Sequence, residues 1–358
     1  MEVISCSPRL WATIDSDYPP AFTELVLEKS QDHPLHFRFQ YGKSKSFEKI
    51  CSLIKDYSHR CRSITHIDYR PFPATLSERQ LPNLREIILL CDVYWQSKLP
   101  LPQFYLPSPY IPVLHLLTLR GYLVVPLSER PAWGLRHLEL GSTKLALSKF
   151  LVILEANPLL QTLILAHVYV MVDCKRRPIA LPALRELRIS FPGWGSPQKT
   201  ILHLLQVVRL ISIGDIRTIH LAQLGLSPIC LTAVGWISGP IRNITAGRKD
   251  IKISLHWLQV VFECPGLCIR WSVNTETMNI DFLPRFLLRF LPAGAHIHTL
   301  EVSTYNNKGD EHVEEATRGL QKQYSVESLV WNRPPGISQP KLTRADLDFL
   351  PGSYQTNV

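Results

Sequence analysis

The chain has 358 residues, 46% hydrophobic and 19% charged, a balance that supports a sizeable buried core and excludes both intrinsic disorder and a disulfide-stapled miniprotein. No apolar run approaches the roughly 20 residues that span a bilayer, and no basic stretch leads into an apolar segment with a cleavage site, so an intracellular protein, cytoplasmic or nuclear, with no membrane contact is expected. The formal charge of +9 comes from Lys and Arg spread along the chain, with short clusters only at 43–45 and 175–177, which favours a solvated basic surface over a nucleic-acid site.

In chain order, "WATID" reads as a strand, followed by a helix at 46–60 ("SFEKICSLIKDYSHR") and a strand at 63–69 ("SITHIDY"). "LPNLREIILL" at 81–90 begins a run of related phrases: 111–121, 133–142, 157–167, 181–190, 216–225, 295–303 and 325–332. Weaker copies lie at 241–247 and 267–273. Each phrase alternates apolar and other residues, as in Leu184, Leu187 and Ile189, which predicts a short strand with one face inward. Helices are predicted at 148–157, 198–211, 254–264, 282–292 and 312–324 from apolar steps of three and four. The proline-rich interval 98–112 reads as a loop.

From Leu135 to Leu160 to Leu184 the step is 25 and then 24 residues, within the span of leucine-rich repeats. Pro82, Pro112, Pro158 and Pro182 each stand just ahead of a phrase, where a missing N–H ends the preceding element without interrupting a ladder. The expected fold is therefore α/β: an irregular leucine-rich-repeat-like solenoid with a curved parallel sheet and helices on the outer side. Its expected parts are a junction segment at 1–45, the solenoid at 46–335 and a C-terminal tail at 336–358.

The first 39 residues, through "SPRLWATID", "LVLEKS" and "PLHF", carry a more specific pattern. They resemble the segment that follows the F-box in the F-box/leucine-rich-repeat-like family expanded in mushroom-forming fungi. Ser7, Pro8, Leu10 and Trp11 match its first phrase. Leu25, Leu27, Glu28 and Ser30 match the second, and Pro34, Leu35 and Phe37 the third. Asn157 and Pro158 match its repeats. The resemblance implies a solenoid that holds a target protein, with a preceding F-box docking on the Skp adaptor of a cullin-RING ubiquitin ligase. No "L-P-x-E-I-L" helix precedes Met1, so the adaptor is an expected partner only where a missing F-box is restored.

Chemistry-bearing motifs are sparse. The 17 glycines form no GxGxxG and no Walker-type loop, and no GxSxG elbow occurs, so no catalytic residue and no cofactor are nominated. Cys264 and Cys268 in "CPGLC", with His256 nearby, have a spacing that zinc accepts, but no second pair joins them and the segment reads as a helix-to-strand turn. His296 and His298 lie on one face of a predicted strand without a third ligand. No metal site is assigned. Glu314 and Glu315 read as a solvated helix face, and Asp15 and Asp17 as capping or solvated residues.

The eight cysteines, several inside apolar runs (Cys51, Cys91, Cys230), read as small buried hydrophobes rather than a disulfide framework. Trp194 and Trp236 sit among glycines and prolines and are the candidate partner-binding anchors. The function expected is protein recognition without catalysis, as an F-box-type receptor or shortened relative whose target is unspecified. A stand-alone repeat scaffold and a nucleic-acid-binding solenoid are the alternatives.

Overall fold

A computed structural model of the chain describes residues 7–39, 44–67, 81–91, 101, 103–106, 113–126, 134–174, 178–190, 210–212, 216–224, 250–256, 259–273, 291, 295–303, 317–322 and 324–332. It is a mixed α/β protein in which parallel strand pairing dominates and helices are few among the described residues. The chain divides into two compact units, one comprising Met1–Leu184 with Leu210–Ser212, the other Arg185–Arg209 with Ile213–Val358.

In the first unit, strands β1 (Thr13–Asp15), β2 (Leu35–Phe39), β3 (Cys61–Ile67), β4 (Glu86–Leu90), β6 (Leu116–Arg120), β8 (His137–Gly141) and β10 (Thr162–Ala166) form an open, wholly parallel row in that order. Helices α1 (Pro20–Ser30), α2 (Ser44–Asp56) and α3 (Leu147–Glu155) lie in three of the crossovers. The leucine phrases stack position for position, so Ile64, Ile87, Leu117, Leu138 and Leu163 make one buried row. His66, Leu89, Leu119, Leu140 and Leu165 make another, both without a break in register. Each such leucine contributes roughly 1.5–3 kcal/mol by leaving water.

Proline acts at the entry to three of the described phrases. Leu84 N–H donates to Leu81 C=O across Pro82 (3.1 Å), Leu160 to Asn157 across Pro158 (3.1 Å), and Leu184 to Leu181 across Pro182 (3.1 Å). Proline thus occupies the second position of a tight turn, which its fixed φ favours. Pro112 lies outside the described residues.

The exits are equally regular. Gly121, Ser142 and His167 follow β6, β8 and β10 directly, and all three have positive φ (74°, 47° and 56°). At Gly121 a side chain is barred twice, because a Cβ there would stand 2.2 Å from the carbonyl oxygen of Cys91. Past these bends the chain enters short strands that the leucine pattern does not announce. These are β7 (Leu123–Pro126), β9 (Lys144–Ala146) and β11 (Tyr169–Met171), with β9 pairing β11 in parallel. β7 pairs with β5 (Gln103–Leu106), which lies inside the stretch read as a loop; its alternation is too short for periodicity to reveal. β12 (Ile179–Ala180) pairs with β14 (Ile211–Ser212).

In the second unit the order is β13 (Glu186–Ser190), β15 (Thr218–Leu224), β18 (Leu267–Val273), β17 (Gln259–Cys264), β16 (Ile251–His256), β19 (His296–Ser303) and β20 (Ser325–Asn332). The helix predicted at 254–264 is instead the turning part of an antiparallel meander, β16–β17–β18. Ile251, Ile253, Phe262, Cys264, Leu267 and Ile269 alternate into the core with a period of two. β-Branched Val260 and Val261 suit a pleated strand better than a helix. "CPGLC" is accordingly a strand-to-strand turn, with Pro265 followed by Gly266 at φ 83°. Residues 317–322 are helical, within the helix predicted at 312–324. The helices predicted at 198–211 and 282–292 lie almost wholly outside the described residues, as do the copy at 241–247, Cys230 and the tail at 336–358.

The opening segment runs through a 3-10 turn at Pro8–Trp11, a strand, a helix and a strand. Arg60 locks that order. Its guanidinium donates to Ser30 Oγ (2.7 Å) and to the His33 carbonyl (3.0 and 3.1 Å), tying the end of α1 to the entrance of β2.

Candidate functional site

Opposite the buried rows, each strand of the first unit turns its alternate residues outward. Thr65, Ile88, Thr118, Glu139 and Ile164 form one such row, and Ile67, Leu90, Arg120, Gly141 and Ala166 the next. These rows mix half-buried aliphatics and Thr65 with Thr118 and Glu139, which are themselves buried. Arg120 Nε donates to Glu139 Oε1 (2.6 Å), and its stem crosses Gly141, where a Cβ would meet Arg120 Cγ at 2.6 Å. Glycine is what allows this pair to lie flat on the sheet. On the neighbouring row His36 Nδ1 and Ser63 Oγ share a 2.6 Å hydrogen bond.

At the strand entrances the main chain links one residue per repeat. Arg85 N–H donates to Arg62 C=O, His115 to Arg85, Arg136 to His115 and Gln161 to Arg136, each at 2.8 Å. Four successive links of this chain are basic or imidazole: Arg62, Arg85, His115, Arg136. The second unit repeats the arrangement, with Arg217 N–H donating to Arg185 C=O (2.8 Å) and Cys268 to Arg217 (2.7 Å). His115 is held below the ordinary imidazole range, first by burial and then by the charges of Arg136, Arg85 and Arg62, against which Glu86 pulls the other way.

This row was legible, in principle, from one position of the phrase: the residue just after Leu84, Leu114, Leu135, Leu160, Leu184 and Ile216 is Arg, His, Arg, Gln, Arg and Arg. The search for linear basic clusters passes over it, because its members are separated along the chain and meet only through parallel register.

The residues singled out from sequence fall elsewhere. Trp194 and Trp236 lie outside the described residues, as do Glu314 and Glu315. His296 Nε2 and His298 Nδ1 both donate to Glu327 Oε2 on β20 (3.2 and 2.9 Å), and these bonds hold the exposed Glu327 carboxyl below its usual range, the His298 bond first. Cys268 Sγ lies 3.7 Å from Glu263 Oε1, Cys264 is buried, and His256 stands across from Gln259 in the β16–β17 pair. Among the described residues no group of three or more His, Cys, Asp or Glu side chains is disposed to hold a metal ion. Asp15 Oδ1 accepts from Asp17 N–H (3.0 Å), closing a local turn after β1.

The described cysteines, Cys51, Cys61, Cys91, Cys174, Cys264 and Cys268, form no disulfide, and burial pushes the Cys61 thiol up. No helix among the described residues is long and apolar enough to cross a membrane. Compared with known protein families, curated proteins and solved structures, the chain matches none.

Proposed function

We propose that the chain is a protein-recognition solenoid, an F-box-type substrate receptor or shortened relative, which holds a target polypeptide on the outward side of its strands and does no chemistry of its own. The observation that carries this reading is the unbroken register of the leucine phrases. It stacks the variable residues between the leucines into continuous outward rows, the kind of extended surface that repeat proteins use for binding. The resemblance of the opening segment supports the receptor branch, and the absence of nucleotide-binding or hydrolase motifs supports a binding role.

Proximity labelling in cells expressing the chain tests the reading, with Thr65→Arg/Ile164→Arg as the comparison because both side chains are half-buried and face outward. A partner labelled by the wild type and lost in the variant is expected. Recovery of the Skp adaptor with that partner marks the receptor branch, and recovery without it marks a stand-alone scaffold. Identical labelling by the two proteins overturns the outward-face reading.

A further inference from the structure

The row at the strand entrances has an electrostatic cost that the fold does not require. Adjacent strands stand about 4.8 Å apart, so the backbone positions of Arg62, Arg85, His115 and Arg136 fall along about 14 Å. Like charges on neighbouring strands oppose one another. Among the described residues no carboxylate forms an ion pair with Arg62, Arg85 or Arg136. Arg120 and Arg188, by contrast, hold Glu139 and Glu186. Arg85 and Arg136 are exposed and Arg62 half-buried, so their charged ends are not needed to fill the core.

A ligand of opposite charge would relieve this cost. Guanidinium forks match carboxylates two bonds at a time, and their regular spacing across strands suits a chain that carries several acids. The neighbouring row argues against a nucleic acid. It consists of His36, Ser63, Glu86, Leu116, His137 and Thr162, without a Trp, Tyr or Phe on which bases could stack. Half-buried Leu116 and Ile88 instead offer apolar contact beside the charges.

We infer that the entrance row of the first unit binds an acidic polypeptide segment of the partner, its carboxylates on Arg62, Arg85 and Arg136 and its intervening apolar residues toward Leu116 and Ile88. This rests on the protein-recognition reading and adds the chemical class of the target.

The test uses the full chain and a fluorescein-labelled oligopeptide of alternating glutamate and leucine, followed by fluorescence anisotropy at about 50 mM salt. Saturable binding is expected, weakening as salt rises. Arg85→Glu/Arg136→Glu should weaken it by about tenfold or more, and Arg85→Gln/Arg136→Gln by less. Arg9→Glu/Arg318→Glu, which changes net charge equally at exposed positions outside the row, should bind as the wild type does. Circular dichroism confirms that each variant is folded.

Equal binding by the row variant and the control overturns the proposal, as does no binding by the wild type. Tighter binding of a labelled single-stranded oligonucleotide with the same arginine dependence also overturns it and makes the row a nucleic-acid site. A partner lost through Thr65→Arg/Ile164→Arg while the peptide fails to bind leaves protein recognition standing and removes only the acidic class.

Discussion

The two units put the same leucine phrase to different use. In the first, seven strands run parallel without exception, and every phrase from β3 to β10 stacks in constant register, with one shift between β2 and β3. In the second, the chain doubles back twice between β16 and β18, and register shifts occur within β15–β18 and β16–β19. The phrase alone does not impose parallel pairing. Parallel pairing needs a connection long enough to return along the sheet, whereas Pro265–Gly266 leaves room only for reversal.

Substitutions at corresponding places sharpen that contrast. The largest effect is expected from a charge in a buried row: Leu184→Asp in the first unit and Leu300→Asp in the second should each cost about 5 kcal/mol or more, since both sites are essentially inaccessible. Scanning calorimetry should show loss of the cooperative transition of the affected unit, and a melt unchanged by either would break the assignment of these rows to the core. Next come the bends. Gly121→Ala should cost about 3 kcal/mol through positive φ and collision with Cys91, whereas Gly266→Ala, in open space, should cost about 1 kcal/mol. Equal losses in urea titration would mean that the crossover exit is no tighter than the reversing turn.

Asn157 is the next most sensitive site. Buried at the end of α3, it accepts from Leu135 N–H (3.2 Å) and donates to Ile153 C=O (2.8 Å), joining a helix to the phrase before it. Asn157→Ala should cost about 1–3 kcal/mol by thermal denaturation. The smallest effect belongs to Asp173, which accepts from the hydroxyl (2.5 Å) and the backbone N–H (2.8 Å) of Ser148 in the first turn of α3. Those bonds, the hydroxyl first, hold its carboxyl below the usual range. Its folded pKa lies below its unfolded one, so its stabilisation is complete above the ordinary carboxylate pKa and disappears as pH falls through the lowered value. Asp173→Asn should cost less than about 1 kcal/mol at neutral pH and flatten the acid limb of the stability curve.

Strand phrases were readable because a buried face repeats every second residue, and α2 and α3 because theirs repeats every three or four. The meander was not, because "SLHWLQVVFEC" satisfies both periods and only its flanking turns decide between them. β7, β9 and β11 span too few residues to carry any period. The basic row stayed hidden for another reason: it is a property of columns, and a column exists only after strands separated by more than twenty residues are laid side by side.

Strand β1 bears on a hazard that any laterally extensible sheet carries. A wide open margin of unsatisfied peptide groups invites the next molecule to add itself, which is how fibrils grow. At the β1 end of the strand order the margin is only Thr13–Asp15, against eight residues in β20 at the other end, and it stops where Asp15 turns its carboxylate back onto its own chain. So brief a ledge, closed by a negative charge, gives a strand arriving beside β1 almost nothing to hold.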